Sequence, residues 1–365
     1  MEYEIFKEKF DKLVKNSRRV VITAHTSPDD DSISSVLIIH AYLTSILKLN
    51  SQLVKIIYTG IRSSRWNYFK NYEQVDYVDD LVNHITSTDL LIILDSKVVS
   101  RISQYPEKLQ NLKLKTICID HHKSDNPDDF DLYLSYPQVK FSSNAELLYT
   151  IFLKDYLKNL DRELCEIILL GILGDTGNFR FINKESLSAF GAATELIYQG
   201  DISLDELRSK YEKIPQRNVE IFSKLLNNLT SVKIPNWPRV YYSFLDLKSL
   251  DGYNKNDLSG GSKYFIFYFL KQIEGVEWGF IIKPSLVNDE WSVTFVSTPG
   301  SVNVRIIAEA LNGGGHDGAA GGKFISQGKV ALTYEDCLNS VFDYLKTHKP
   351  VFIGSSSSAQ DSEIG

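Results

Sequence analysis

The sequence predicts an α/β protein in two parts, and three features carry that reading. Short apolar runs that end in an acid, DLLIILD (89–95) and KTICID (115–120), read as strands buried on both faces, as in a parallel sheet. Segments with helical apolar spacing lie around them. From about residue 236 the texture changes to β-branched and aromatic runs separated by turns. The expected architecture is an N-terminal, mostly parallel sheet with flanking helices, then a helical connector, then a smaller C-terminal α/β domain. The expected boundaries are 1–200 for the first domain, 201–235 for the connector, 236–348 for the second domain and 349–365 for a disordered tail.

Residues 4–16 place Ile5, Phe6, Phe10, Leu13 and Val14 at helical spacing. RRVVITA (18–24) reads as a short buried strand, followed by the polar loop HTSPDDDS and an apolar helix from about Ile33 to Leu47. Strand, loop, helix is the opening unit of an α/β domain. SQLVKIIY (51–58) reads as a further strand. RELCEIILLGILGDTGNF (162–179) reads as an apolar helix stopped by a glycine-containing polar loop, and 184–232 as charged and mostly helical. In the second part RVYYSFLDL (239–247), YFIFYFL (264–270), WGFIIKP (278–284) and WSVTFVS (291–297) read as strands. The glycine-rich LNGGGHDGAAGGKF (311–324) follows, then a last helix at about 334–346 and the low-complexity GSSSSAQDSEIG.

A chain of 365 residues is longer than one hydrophobic core usually serves, and 43% hydrophobic residues supply two. The net charge of −6 argues against a binder of long duplexes, though not against a local basic groove or a small anionic ligand. Cys118, Cys165 and Cys337 are far apart and odd in number, which excludes a disulfide framework and a CxxC metal site. The N-terminus is charged and amphipathic, without the apolar core of a signal peptide, and no run approaches the length of a spanning helix. A cytoplasmic protein is expected.

Four of the seven histidines fall in three polar loops. In HTSPDDDS, His25 sits with Asp29, Asp30 and Asp31, a density of acids that is costly unless a cation compensates it. An acidic helix N-cap is the other reading of this loop, and on the loop alone both stay open. Asp95 ends one buried strand and Asp120 another, the latter followed at once by His121 and His122. GDTG (174–177) adds Asp175 at a helix-to-loop junction. Together His25, Asp29, Asp31, Asp95, His121 and Asp175 are too many nitrogen and oxygen ligands for one ion with open positions. They suit two ions sharing a bridging carboxylate, the usual device for hydrolysing phosphate esters. In GGGHDGAAGG, Gly313, Gly314 and Gly315 allow close backbone approach to an anion, to which His316 can add a charge-assisted hydrogen bond.

The order His-x-x-Pro-Asp-x-Asp, strand-end Asp, Asp-His-His and Gly-Asp-Thr-Gly resembles the DHH phosphoesterases, and Gly-Gly-Gly-His-x-x-Ala-Ala-Gly resembles their DHHA1 domain. The resemblance spans roughly 18–346 and is greatest to the branch of oligoribonucleases (nanoRNases) and 3′-phosphoadenosine-5′-phosphate phosphatases. It implies two divalent ions, Mn²⁺ or Mg²⁺: one held by His25, Asp29 and Asp95, the other by Asp31, Asp95, His121 and Asp175, with Asp95 bridging. It further implies that His122 faces the substrate phosphate or leaving group and that Asp120 orients a ring. The expected reaction is in-line attack of an activated water on phosphorus, with Gly313, Gly314, Gly315, His316 and Arg305 gripping a short oligoribonucleotide that is cut to mononucleotides. A 3′,5′-bisphosphate phosphatase and a cyclic or linear dinucleotide phosphodiesterase are the enzymatic alternatives. A non-catalytic nucleotide-binding regulator is the alternative of another class, weakened because all six ligand positions are filled. The expected partner is a small nucleotide or short single strand, without duplex or membrane, and a homodimer is compatible. Two departures from the family pattern stand out: Asp30 replaces a glycine between the acids of the first motif, and Ser297-Thr298 replaces an Arg-Ser pair.

Overall fold

The computed structural model describes residues 2–26, 28–60, 62–122, 128–135, 140–286, 290–325 and 332–354. The chain divides into two compact units, Met1–Lys213 and Ile214–Gly365.

The first unit is built on six strands: β1 (Val20–Thr23), β2 (Val54–Thr59), β3 (Val75–Val78), β4 (Leu90–Leu94), β5 (Lys115–Asp120) and β6 (Leu132–Ser135). They are ordered β3-β2-β1-β4-β5-β6, and every neighbouring pair is parallel. Alternate residues of one strand go to opposite faces, so a sheet covered on both sides needs continuous apolar runs. In β4, Leu90, Ile92 and Leu94 enter one core while Leu91 and Ile93 enter the other. The helices are α1 (Glu2–Lys15), α2 (Asp30–Ala41), α3 (Pro106–Asn111), α4 (Asn144–Leu148), α5 (Arg162–Asp175), α6 (Ser188–Gly200) and α7 (Leu204–Tyr211). α1, α2, α4, α5 and α6 contribute to the larger core. Gly171 of α5 permits close packing there, since a Cβ would meet Ala145 Cβ at 2.5 Å and Ser34 Cβ at 2.7 Å.

The second unit has its own sheet, from β7 (Thr230–Val232), β8 (Val240–Phe244), β9 (Trp278–Pro284), β10 (Glu290–Ser297), β11 (Gly314–His316) and β12 (Ala319–Ile325). The order is β11-β12-β10-β9-β8-β7, parallel between β8 and β9 and antiparallel elsewhere. α8 (Gln216–Asn227) and α9 (Lys255–Lys263) cover one face, while α10 (Val304–Ala310) and α11 (Tyr334–Thr347) cover the other. The 201–235 stretch is thus divided: α7 belongs to the first unit, and α8 buries Ile221 and Leu225 in the second.

The expected strand at YFIFYFL is corrected to helix. Tyr264–Phe269 is a π-helical continuation of α9. Asn254 starts α9 with a reciprocal capping box to Asp257, and the helix then runs into the aromatic stretch. Phe265, Ile266 and Leu270 are buried while Phe267 and Tyr268 are exposed, a helical and not an alternating distribution. Aromatic content misled because tertiary packing against Phe222 of α8, not β propensity, decides this segment. The 349–365 stretch, expected to be disordered, is ordered in part: Phe352 bridges to Val302, and the Asn303 N–H donates to Val351 O at 2.7 Å. Residues 355–365 of that expected tail lie outside the described residues.

All three cysteines are buried and free. Among the described residues no helix is long and apolar enough to cross a membrane.

Candidate metal centre

In an open parallel sheet, ligands bind beyond the carboxyl ends of the strands where the order reverses. Here that point lies between β1 and β4, and the loops after β1, β4 and β5 carry the charged residues. His25 follows β1, Asp95 follows β4, and His121 and His122 follow β5. Asp95 has φ +54, a left-handed conformation that aspartate tolerates better than most residues. Its N–H donates to Ile119 O at 3.0 Å, which ties the turn to β5.

The acidic loop serves helix α2 and the cluster together. Asp29 caps α2, with Oδ1 accepting from the Ser32 N–H at 3.0 Å, while Oδ2 lies 3.5 Å from His25 Nε2. The N-cap and cation readings of the loop are therefore not exclusive. Asp31 is fully buried and accepts the backbone N–H groups of Asn144 and Ala145, each at 2.7 Å, where α4 begins. Asp30 turns away from the cluster. It accepts hydrogen bonds from Tyr211, from Trp66 Nε1 at 3.3 Å and from Arg65 Nη2 at 3.2 Å. Gly174 leaves the space it needs, since a Cβ there would meet Asp30 Cβ at 2.8 Å.

Three groups of ligand atoms result, each with its atoms within 4.8 Å of one another: His25, Asp29 and Asp95; Asp31, His121 and Asp175; and Asp95, His121 and His122. Asp95 belongs to two of them through different oxygens. Its Oδ2 is 3.4 Å from His25 Nε2, and its Oδ1 is 3.6 Å from His121 Nε2 and 3.4 Å from His122 Nδ1. His121 Nε2 also lies 3.0 Å from Asp175 Oδ2 and 3.6 Å from Asp31 Oδ2. All six residues proposed as ligands from the sequence are thus brought together, with His122 beside them. Asp120 Oδ1 lies 2.8 Å from His122 Nδ1 and 3.2 Å from the His122 N–H.

The electrostatics ask for positive charge. Burial opposes ionisation of His25, yet Asp29 and Asp95 beside it push its pKa up to about 9. Burial likewise opposes a charged His121, and Asp175 and Asp95 push it up to about 9. Burial and the nearby Asp175 and Asp95 carboxylates hold Asp31 well above the usual range, against the Ala145 N–H. Asp95 Oδ1 is buried without a hydrogen-bond partner among the described residues, a state that normally costs stability. Imidazole and carboxylate form a hard-to-borderline donor set, and converging lone pairs fit a divalent cation.

In the second unit the glycine run forms one strand of a hairpin. Gly313 and Gly315 are required by close pairing with β12: a Cβ on Gly313 would lie 1.8 Å from Gly321 O, and one on Gly315 2.7 Å from Ala319 O. Gly314 faces open space and His316 is exposed. Arg305 pairs with Asp317 at 2.9 Å and Glu309 at 3.2 Å. Ser297 closes β10, and its N–H donates to Gly318 O at 2.9 Å. Sequence reasoning missed the Asn144 and Ala145 amides that hold Asp31. Backbone donors carry no residue signature, although the Ser143 N-cap of α4 would have marked a helix start there.

Residues 19–172 match the family model described as DHH family, N-terminal domain. This stretch is identified as a DHH-family N-terminal domain, and relatives that match over most of the chain are named as hydrolases of phosphate esters. Over 317 residues it is 24% identical to the bifunctional oligoribonuclease and PAP phosphatase NrnA of Bacillus subtilis, covering 84% of this chain and 90% of that protein. Over 325 residues it is 27% identical to the cyclic-di-AMP phosphodiesterase GdpP of Bacillus subtilis, covering 84% of this chain but 45% of that protein. An exopolyphosphatase-related protein from Bacteroides fragilis shares the fold, with a TM-score of 0.75 at 22% identity over 94% of this chain and 97% of that one.

Proposed function

We propose that this protein hydrolyses short oligoribonucleotides to mononucleotides with two divalent ions, Mn²⁺ in preference to Mg²⁺. The observation that carries the reading is Asp95, whose two carboxylate oxygens face His25 and His121 separately. His25, Asp29 and Asp95 would hold one ion, and Asp31, Asp95, His121 and Asp175 the other. Such a pair, when bound, neutralises charge developing on phosphorus and lowers the pKa of water. The Asn144 and Ala145 amides fix both oxygens of Asp31, and the Ser32 cap fixes Asp29. The His122 hydrogen bond holds Asp120 ionised against burial, so the shared proton belongs on His122 Nδ1. That leaves His122 Nε2 for a phosphate or leaving oxygen. Gly313, Gly314, Gly315 and His316 are assigned to substrate binding. Arg305 joins them by exchanging Asp317 and Glu309 for a phosphate.

The name of the Bacillus subtilis relative at 24% identity supports a second activity at the same centre, on 3′,5′-bisphosphate nucleotides. The cyclic-di-AMP phosphodiesterase relative supports a dinucleotide reading. The test is Mn²⁺-dependent turnover of RNAs of two to five nucleotides beside a bisphosphate nucleotide and a cyclic dinucleotide. Mononucleotide release that a chelator abolishes is expected, fastest on the short RNAs. Faster turnover of either other substrate would transfer the assignment to it, and metal binding without turnover of any would leave a nucleotide-binding regulator.

A further inference from the structure

A cavity of about 210 Å³ opens beside the second ligand group, lined by His121 and Asp175 and extended by Lys140, Ser142, Phe181 and Asn183. All of these belong to the first unit. Phe181 is the unusual member. Its relative exposure is 67%, and it pairs with no other aromatic ring among the described residues.

Phe181 is nevertheless held in place. Its N–H donates to Thr176 O at 3.0 Å, and Thr176, the buried C-cap of α5, anchors its hydroxyl on Ile172 O at 2.7 Å. The ring lies against Gly177, where φ is +55 and a Cβ would meet Phe181 Cε2 at 2.4 Å. Glycine is therefore required at 177 both for the turn and for the ring. One part of the ring is fixed over backbone and much of the rest is left to solvent, a few residues from Asp175. An aromatic ring exposed in this way is costly in water and useful where a planar group stacks on it.

The polar rim points to a neutral planar group in place of a second phosphate. Lys140 is already paired with Glu185 at 3.9 Å, so this side adds little net positive charge. Asn183 Oδ1 accepts the Glu185 N–H at 2.8 Å, which leaves its amide NH₂ as the group it can offer. The volume falls below the ~300–1,000 Å³ of pockets for larger ligands, so it suits one base and not an oligonucleotide.

We propose that Phe181 is the stacking platform for a nucleobase adjacent to the scissile phosphate, with Asn183 at the edge of that base. The inference rests on the reading of the site as one for short nucleotides and adds how the base is recognised. Binding and turnover test it separately. Binding uses the metal-loaded full-length protein and a dinucleotide with a non-hydrolysable methylenephosphonate linkage, beside its counterpart lacking one base. Phe181→Ala should weaken binding of the complete dinucleotide on the order of 10- to 100-fold, leave the abasic counterpart unchanged, and be rescued by Phe181→Trp. Equal loss on both ligands, no loss on either, or no preference of the native protein for the complete ligand would overturn it. Turnover of short RNA by the native protein with binding unaffected by Phe181→Ala would sink this inference and leave the proposed function standing. Base-dependent binding through Phe181 without any turnover would do the reverse.

Discussion

Tyr211, the last residue of α7, donates its hydroxyl to the carboxylate of Asp30, the first residue of α2. The residue that departs from the family pattern between Asp29 and Asp31 is therefore spent on packing. With Trp66 and Arg65 it anchors the end of the first unit to the start of the acidic loop. Removing one partner leaves a largely buried carboxylate or hydroxyl unsatisfied, which costs about 1–3 kcal/mol. Tyr211→Phe and Asp30→Asn should each lower unfolding free energy in that range, read by urea denaturation. Manganese affinity should stay within a few-fold of native. A large drop in metal affinity in Asp30→Asn would instead make Asp30 part of the centre.

Asp95→Asn should reduce turnover of short RNA by at least about 100-fold, since it removes the charge shared between the two ligand groups. Asparagine is the informative substitution because residue 95 has φ +54, where alanine is strained and asparagine is not. Circular dichroism should remain native. Retained turnover would remove the bridging role.

Gly313→Ala should destabilise the second unit, because its Cβ would collide with Gly321 O, whereas Gly314→Ala meets open space and should leave the melting temperature unchanged. The pair separates architecture from recognition. A stable Gly314→Ala protein with a raised KM would place position 314 against substrate. An unchanged KM would restrict the glycines to their part in the hairpin.

His40 in α2 is buried near Lys55, and burial first, with the lysine charge second, pushes its pKa down to about 4 from 6.5. The folded protein thus holds His40 neutral while the unfolded chain protonates it, so stability falls as pH drops from the unfolded value through the folded one. Between pH 7 and pH 5 this costs up to about 2 kcal/mol. His40→Gln should flatten that part of the stability profile in denaturant titrations at the two pH values. An unchanged slope would mean that His40 keeps its ordinary proton affinity in the fold.

Much of the first unit was legible in the chain. β4 and β5 were visible because a strand buried on both faces must be apolar at every position, and Asp95 and Asp120 because acids break those runs. β3 and β6 were not identified: each is four residues long at the sheet edge half reached by solvent, which leaves little apolar signature. YFIFYFL was misread because its composition favours strand while its conformation continues a helix whose cap, Asn254, lies ten residues earlier.

The sequence by itself determined the α/β class, the two-part organisation of apolar material and the identity of the six clustered carboxylates and imidazoles. Those follow from periodicity and from the chemical cost of unpaired charge, which are local properties. Tertiary structure alone decided that Asp95 offers a different oxygen to His25 and to His121, that helix α4 holds Asp31, and that Asp30 faces Tyr211 and not the cluster. The residues that meet in this centre lie up to 150 positions apart, from His25 to Asp175. Their distances and directions come from strand order and helix packing, and no spacing along one chain encodes them.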